Sequence, residues 1–353
     1  MNVGLIGLPQ SGKTTLFRAL LSGAPAGSVP GMPNAHQGAV VVPDPRFDFM
    51  VQVYSPKRVN PATVQFLDGA ARIGDDHHRG ALGTDFLSGI RQVDALVHVV
   101  DAFSGTVDPV SAARRIDEEL LLADLTLIET RLERLDKALK ARKSLPAEQA
   151  EREALHAFQA ILEQEIPLRN ATLQPEHEKE LRGFTFLTQK PLILVANVPE
   201  EHAADTDVTP ELQAYAAEKQ QRLLSLCATI EADVAELDAA DETEFLQALG
   251  ISEPARNRLI REAYRSLGLI TFFTCGEPEV HAWTLREGGS AVEAAGRIHS
   301  DLARGFIRLE VIPFDTLQSH GSWEAAKAAG AMRLEMKDYV VKDGDVVYVR
   351  FKV

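Results

Sequence analysis

Residues 7–17 read GLPQSGKTTLF. From Gly7 to Thr14 the stretch fits G-x-x-x-x-G-K-[ST]. It follows a short apolar run, NVGLIGL, and leads into Leu16, Phe17 and Leu20 at helical spacing. Strand, glycine turn and helix in that order make a cradle for phosphate. Gly7 and Gly12 let the backbone curl so that N–H groups converge at a helix N-terminus. The cradle is expected from Gln10, Ser11, Gly12, Lys13, Thr14 and Thr15, with Lys13 reaching the β- and γ-phosphates and the Thr14 hydroxyl ligating Mg²⁺.

Outward from this turn the chain reads as a mostly parallel α/β sheet. GAVVVPD is expected as a second strand, ATVQFLD as a third, DALVHVVDAF as a fourth, KPLILVANV as a fifth and RLLSLCA as a sixth. The fourth and fifth are too continuously apolar to have a wet face, which suits buried parallel strands joined by crossover helices. Asp68 closes the third strand, where a nucleotide-binding sheet places the acid that holds Mg²⁺ through water. Asn197 and Glu200 follow the fifth strand and can read a base edge. Backbone N–H groups around Cys227 and Ala228 are expected beside the same base.

Between the fourth and fifth strands, Leu121, Leu125, Ile128, Leu132, Leu135 and Leu139 recur at spacings of four and three, a coiled-coil seam. KSLPAEQ breaks it, and Ala150, Ala154, Phe158 and Ile161 resume it. The pair predicts an antiparallel helical hairpin whose faces bury each other. The bland reading is a self-packed structural arm; the functional one is a docking lever, with Lys137, Lys140, Arg142 and Lys143 near the turn within reach of RNA. After residue 277 the pattern becomes strand (VHAWTL), helix (SAVEAAGRIHSDLARG), strand (FIRLEVI), short helix (SWEAAKAAG) and two strands (YVV, VVYVRFKV) around KDGD, a small α+β domain.

Composition bounds the partners. The chain has 353 residues, 45% hydrophobic and 25% charged, with a formal net charge of −14. Binding to nucleic acid through general charge is disfavoured and DNA is not expected, although a local basic patch can still serve. Two cysteines, Cys227 and Cys275, give no disulfide framework and suit a reducing cytosol. The start does not read as a signal peptide, and the absence of a long apolar run predicts no membrane span, so a cytoplasmic location is expected. No Cys–His cluster suggests zinc.

These motifs together resemble the YchF, or Obg-like ATPase, family of P-loop proteins. The resemblance runs over nearly the whole chain, through VVVPDPRFD, LGTDFLSGIRQVDALVHVV, FLTQKPLILVANVPE, CATIEADVAELD, FLQALGISEPARNRLIREAYRSLGLITFFT and MRLEMKDYVVKDGDVVYVRF. It implies a P-loop G domain over 1–115 and 186–276, a helical insert over 116–185 and a TGS-like β-grasp domain over 277–353. It also implies ATP favoured over GTP through N-x-x-E, here Asn197 to Glu200, and a link to ribosomes and translation. The residues themselves leave ATP or GTP open.

The chain departs from the family pattern at the switches. Met32 stands where the resemblance places a Mg²⁺-ligating threonine, and a thioether is a poor ligand for that hard ion. Asp68-Gly69-Ala70-Ala71 replaces D-x-A-G, and Arg72 follows, read as solvent-facing. The loop DAFSGTVDP lacks the family's histidine. His98 is expected in the core, and His36, His77 and His78 fall in switch segments; no catalytic residue is assigned. Two readings follow: a slow Mg²⁺-dependent ATPase or GTPase switch, or a nucleotide-gated binding module with little hydrolysis. A small-molecule kinase fits poorly, for want of an arginine-rich lid.

Overall fold

A computed structural model describes residues 1–29, 32–69, 84–141, 145–204 and 209–352. In chain order the elements begin β1 (Asn2–Ile6), α1 (Lys13–Leu21), β2 (Gly27–Val29), β3 (Met32–Val41), α2 (Pro45–Tyr54), β4 (Val59–Asn60), β5 (Thr63–Gly69), α3 (Thr84–Ile90) and β6 (Ala95–Asp101). Next come α4 (Pro109–Ala141), α5 (Pro146–Leu162), α6 (Pro175–Leu181), β7 (Leu192–Asn197), α7 (Pro210–Glu218), β8 (Arg222–Leu226), α8 (Ala228–Ala235), α9 (Ala239–Ala248) and α10 (Ala255–Ser266). The last are β9 (Leu269–Thr274), β10 (Val280–Arg286), α11 (Ala291–Ile298), β11 (Phe306–Pro313), β12 (Arg333–Glu335) and β13 (Asp345–Phe351). By contacts the chain forms two compact units, Met1–Ala39 with Gln65–Leu259 and Val40–Val64 with Ile260–Val353. Residues 260–276 and 40–64 thus group with the C-terminal unit, whereas the sequence reading divided the chain at 276/277.

The first sheet has seven strands in the order β2-β3-β5-β1-β6-β7-β8. β1 pairs parallel with β5 and β6, and β6–β7–β8 continue in parallel. β7 is buried along its whole length, as its unbroken apolar run requires. The second expected strand, GAVVVPD, begins earlier than expected, at Met32, and ends at Val41, because β3 folds back on β2 in an antiparallel ribbon. One face of the sheet packs Val100, Leu194 and Ala196 against Ala112 and Ala113 of α4 and Leu212, Tyr215 and Ala216 of α7.

α4 is 33 residues long, about 50 Å at 1.5 Å per residue. Its seam residues Ile128, Leu132 and Leu135 are buried against Ala154, Leu155, Phe158 and Leu162 of α5, with Leu121, Leu125 and Ile161 partly covered. Ala150 is exposed, not in the seam; Leu155 and Leu162 fill the stripe, because the helix turns its apolar arc towards them. The side chains of Leu139 and Lys140, and residues Arg142 and Lys143, lie outside the described residues. Asp124 anchors the root of the hairpin. Fully buried on α4, it accepts from the Leu187 and Thr188 N–H groups, the Thr188 hydroxyl and Arg91.

The second sheet runs β12-β11-β13-β9-β10-β4. β13 is parallel to β9 and antiparallel to β11, and α11 packs Ala291, Ala294 and Ala295 on Leu309, Val311, Val347 and Val349, the β-grasp arrangement. Two sequence expectations change here. The expected helix SAVEAAGRIHSDLARG breaks at His299, whose extended backbone and ring nitrogen cap a separate helix, Ser300–Arg304. The expected strand YVV is not one. Tyr339 and the Lys342 N–H are tied to Asp345, Val340 makes an isolated bridge to Ser290, and Arg333–Glu335 pairs with β11 instead.

Candidate nucleotide site

The turn between β1 and α1 has the backbone its glycines permit. Gly7 lies at φ 145° and Gly12 at φ 93°. A Cβ at Gly7 would stand 2.3 Å from the Val99 carbonyl, and one at Gly12 would stand 2.2 Å from Asn197 Nδ2. Any side chain at either position would collide with the neighbouring strand ends as well as strain the backbone. Gln10 takes positive φ without being glycine, at 62°. α1 opens at Lys13 with no side-chain cap on its first N–H groups, which leaves them for an anion.

Lys13 is 8% exposed and donates from Nζ to the Leu8 carbonyl at 2.6 Å. Burial lowers its pKa to about 8, opposed by the nearby Asp68 carboxylate. The Thr14 hydroxyl donates to Asp68 Oδ2 at 2.9 Å. Asp68 is buried, and its Oδ1, like the Ser11 hydroxyl, has no hydrogen-bond partner among the described residues. A hydroxyl against a carboxylate with an unsatisfied buried oxygen is a donor set that suits Mg²⁺.

Asn197, at the end of β7, is 5% exposed. Its Nδ2 donates to the Ser11 carbonyl at 3.1 Å, and its Oδ1 accepts from the Ala228 N–H at 2.9 Å. The amide joins the phosphate turn to the start of α8. This bond pair engages one of the two Nδ2 hydrogens and one of the Oδ1 lone pairs, and both Asn197 and Ala228 line the cavity described next. Cys227 is buried in the apolar cluster under α7 and α8, with its sulfur 3.0 Å from the Thr229 hydroxyl. Glu200 is exposed and accepts from the same hydroxyl at 3.4 Å.

A cavity of about 500 Å³ brings Gln10, Gly12, Lys13, Thr14 and Thr15 together with Asn197, Glu200 and Ala228. It is also lined by Phe103, Val198, Pro199 and Thr229, which the sequence reading missed. Phe103 is 44% exposed in the loop after β6. The Asp101 carboxylate holds that loop by accepting from the N–H groups of Phe103 and Ser104. The loop, DAFSGTVDP, carries no periodicity or motif that could have marked Phe103. His98 does not line the cavity: it is 1% exposed in β6, and burial lowers its pKa to about 4, so its ring is neutral. His36 is exposed on β3. The Met32 side chain, Ala70, Ala71, Arg72, His77 and His78 lie outside the described residues. Among the described residues no group of three His, Cys, Asp or Glu is placed to hold a metal by itself, and no helix is long and apolar enough to cross a membrane.

A family model described as "50S ribosome-binding GTPase" matches residues 2–133, and the YchF-type GTPase C-terminal model, described as "Protein of unknown function (DUF933)", matches residues 269–352. The chain is 40% identical over 368 residues to "Ribosome-binding ATPase YchF" of Bacillus subtilis, covering 100% of both chains. It is 39% identical over 362 residues to the protein of that name from Haemophilus ducreyi, covering 99% of each. It is 32% identical to "Obg-like ATPase 1" of Oryza sativa subsp. japonica, covering 100% of this chain and 92% of that one. The Schizosaccharomyces pombe YchF GTPase structure superposes with a TM-score of 0.86 at 29% identity, covering 99% of this chain and 97% of that one.

Proposed function

The chain belongs to the YchF, or Obg-like ATPase, family of P-loop nucleotide-binding proteins, and on that premise we propose that it is a slow, Mg²⁺-dependent purine-nucleoside triphosphatase that acts as a switch on the ribosome. The observation that carries the reading is the joined set of the open N-terminus of α1, Lys13, and Thr14 bonded to Asp68. The α1 amides and Lys13 would take the β- and γ-phosphates, with Lys13 leaving the Leu8 carbonyl to do so. Thr14 would ligate Mg²⁺ directly and Asp68 through water; the ion would neutralise charge between the phosphates. Residues Gln10 to Thr15 position the tail, and Asn197 holds their loop. The base would lie against Phe103, with Glu200 and Thr229 at its edge. A carboxylate accepts and a hydroxyl both donates and accepts, so the pair has partners on adenine and on guanine. Ribosome association comes from the names of the relatives, and a cytoplasmic location follows from that partner.

A second reading is a nucleotide-gated binding module. The cavity lining includes no histidine among the described residues, and each missing positioning or electrostatic group lowers such a rate by roughly 10² or more. Single-turnover hydrolysis of γ-labelled ATP and GTP decides between them. A Mg²⁺-dependent rate above the protein-free control that disappears in Lys13→Ala supports the triphosphatase; a rate equal to that control with binding intact supports the module. Calorimetry with ATP, GTP, ADP and AMP then ranks the bases.

A further inference from the structure

Phe103 reaches the nucleotide cavity from the loop of residues 102–108, which joins β6 to α4. Ala102 before it and Val110 after it pack against the apolar cluster that includes Val100 and Leu212, whereas Phe103 is 44% exposed. A ring with so little packing around it is placed by its backbone. That backbone is tied at successive residues. The Ala102 N–H donates to the Asn197 carbonyl at 2.9 Å. The Phe103 and Ser104 N–H groups donate to Asp101 Oδ1 at 3.0 and 2.9 Å, and the Ser104 hydroxyl donates to Asp101 Oδ2. Ser104 Oγ accepts in turn from the Thr106 N–H at 3.2 Å, with Gly105 between them at φ 65°, where a side chain would strain the turn.

Asp101 thus takes three donors from two residues of the loop, yet it is not one of the residues that line the cavity. A carboxylate is an acceptor only, and its charge strengthens each of these bonds. Towards the ligand that charge brings no benefit: a nucleotide's phosphates are negative, and a nearby acid repels them unless salt screens it. What the acid supplies is a fixed loop. A stacking ring on an unfixed loop loses freedom when a base arrives, and that loss is subtracted from the affinity; a ring already in place avoids it.

We propose that Asp101 is a positioning residue for the nucleotide: it holds the Phe103 ring ready for the base and affects affinity only through that ring. The inference rests on the base lying against Phe103, as proposed above. Two rival roles predict otherwise. If the carboxylate acted mainly as a charge, removing it would tighten the binding of every phosphate ligand, and Asp101→Asn and Asp101→Ala would behave alike. If it only stabilised the fold, its loss would weaken the cradle at α1 as much as the base end. Asp101→Asn separates these. The amide Oδ1 can keep both N–H groups and its Nδ2 can donate to the Ser104 hydroxyl, so this variant preserves the lock without the charge.

The test is calorimetry of the full chain with Mg²⁺ and ATP, GTP or inorganic tripolyphosphate. Asp101→Ala is expected to weaken ATP and GTP binding by about 2- to 12-fold, the freedom of one ordered side chain. It should leave tripolyphosphate affinity unchanged, which also shows that the variant folds. Asp101→Asn is expected to bind ATP within about twofold of the parent. Phe103→Ala and the double variant carrying both Ala substitutions are expected to match each other within the same margin, because without the ring the lock has nothing to position. Four results overturn the proposal: Asp101→Ala equal to or tighter than the parent; Asp101→Asn as weak as Asp101→Ala; a further loss from Asp101→Ala in the Phe103→Ala background; or a matching loss of tripolyphosphate affinity. Each of the four leaves the nucleotide reading standing. If the parent binds neither ATP nor tripolyphosphate, that reading itself fails and takes this proposal with it.

Discussion

Asn197→Asp exchanges the side-chain NH₂ for an oxygen and changes nothing else in shape, so it isolates what the Nδ2 bond does. The Oδ1 bond from the Ala228 N–H survives the change. The Nδ2 donor, 3.1 Å from the Ser11 carbonyl, becomes an acceptor facing an acceptor. The side chain is 5% exposed, so water replaces the lost donor poorly. An unsatisfied buried acceptor costs roughly 1–3 kcal/mol, and a carboxylate desolvated beside it adds to that. A destabilisation of about 2–4 kcal/mol at pH 7 is expected where α1 meets α8.

The pH dependence gives the sign. Desolvation and the facing carbonyl both raise the folded-state pKa of the new carboxyl above its unfolded value of about 3.9. Stability is then highest below that unfolded pKa and falls, by about 1.4 kcal/mol per unit, as pH rises to the folded pKa. The protonated carboxyl donates to the Ser11 carbonyl much as the amide did. About 2 kcal/mol of the loss should therefore return between pH 7 and pH 5. Native-state hydrogen exchange at the α1 and α8 amides, corrected for intrinsic rates, reads this locally in a two-unit chain where one unfolding free energy is ill defined. Asn197→Ala is the comparison: a similar loss with no recovery at low pH. Protection within about 0.5 kcal/mol of the parent at pH 7, with no difference at pH 5, would show that the amide does not join the phosphate turn to α8.

Three further substitutions test the neighbouring groups. Lys13→Met should weaken triphosphate binding on the order of 10²-fold, yet stabilise the nucleotide-free chain at pH 7. The buried ammonium, with its pKa lowered from 10.5 to about 8, makes stability rise with pH across that window; below it the charge costs on the order of 3 kcal/mol. Urea midpoints at pH 7 and 10.5, compared between variant and parent without extrapolation to one free energy, should show the gap closing, and a variant midpoint below the parent's at pH 7 contradicts the burial argument. Thr14→Val removes the hydroxyl bonded to Asp68, so it should abolish the Mg²⁺-dependent part of nucleotide affinity and leave the EDTA-resistant part, measured by calorimetry with and without the metal. Phe103→Ala should weaken ATP and GTP binding alike, by roughly 1–3 kcal/mol on the scale of a lost base stack, while leaving inorganic triphosphate unaffected in a competition assay.

What could be read from the sequence was whatever is contiguous. The phosphate turn is one stretch of eight residues, and its chemistry depends on glycines and a lysine at fixed offsets. The buried strands announce themselves by unbroken apolar runs, and the hairpin by a seam of leucines. Local signals failed where a neighbour distant in sequence decided the outcome. His299 breaks a helix because its own ring caps the next one, and Tyr339 stays out of the sheet because Asp345 holds it. Propensity gives neither.

The same distinction governs the candidate site. Asn197 was legible as a polar residue closing a buried strand, but not its bonds to backbone groups 186 residues before it and 31 after it. Its identity followed from the motif, but its role needed both partners in place. Phe103 and Thr229 entered the cavity from loops with no pattern of their own.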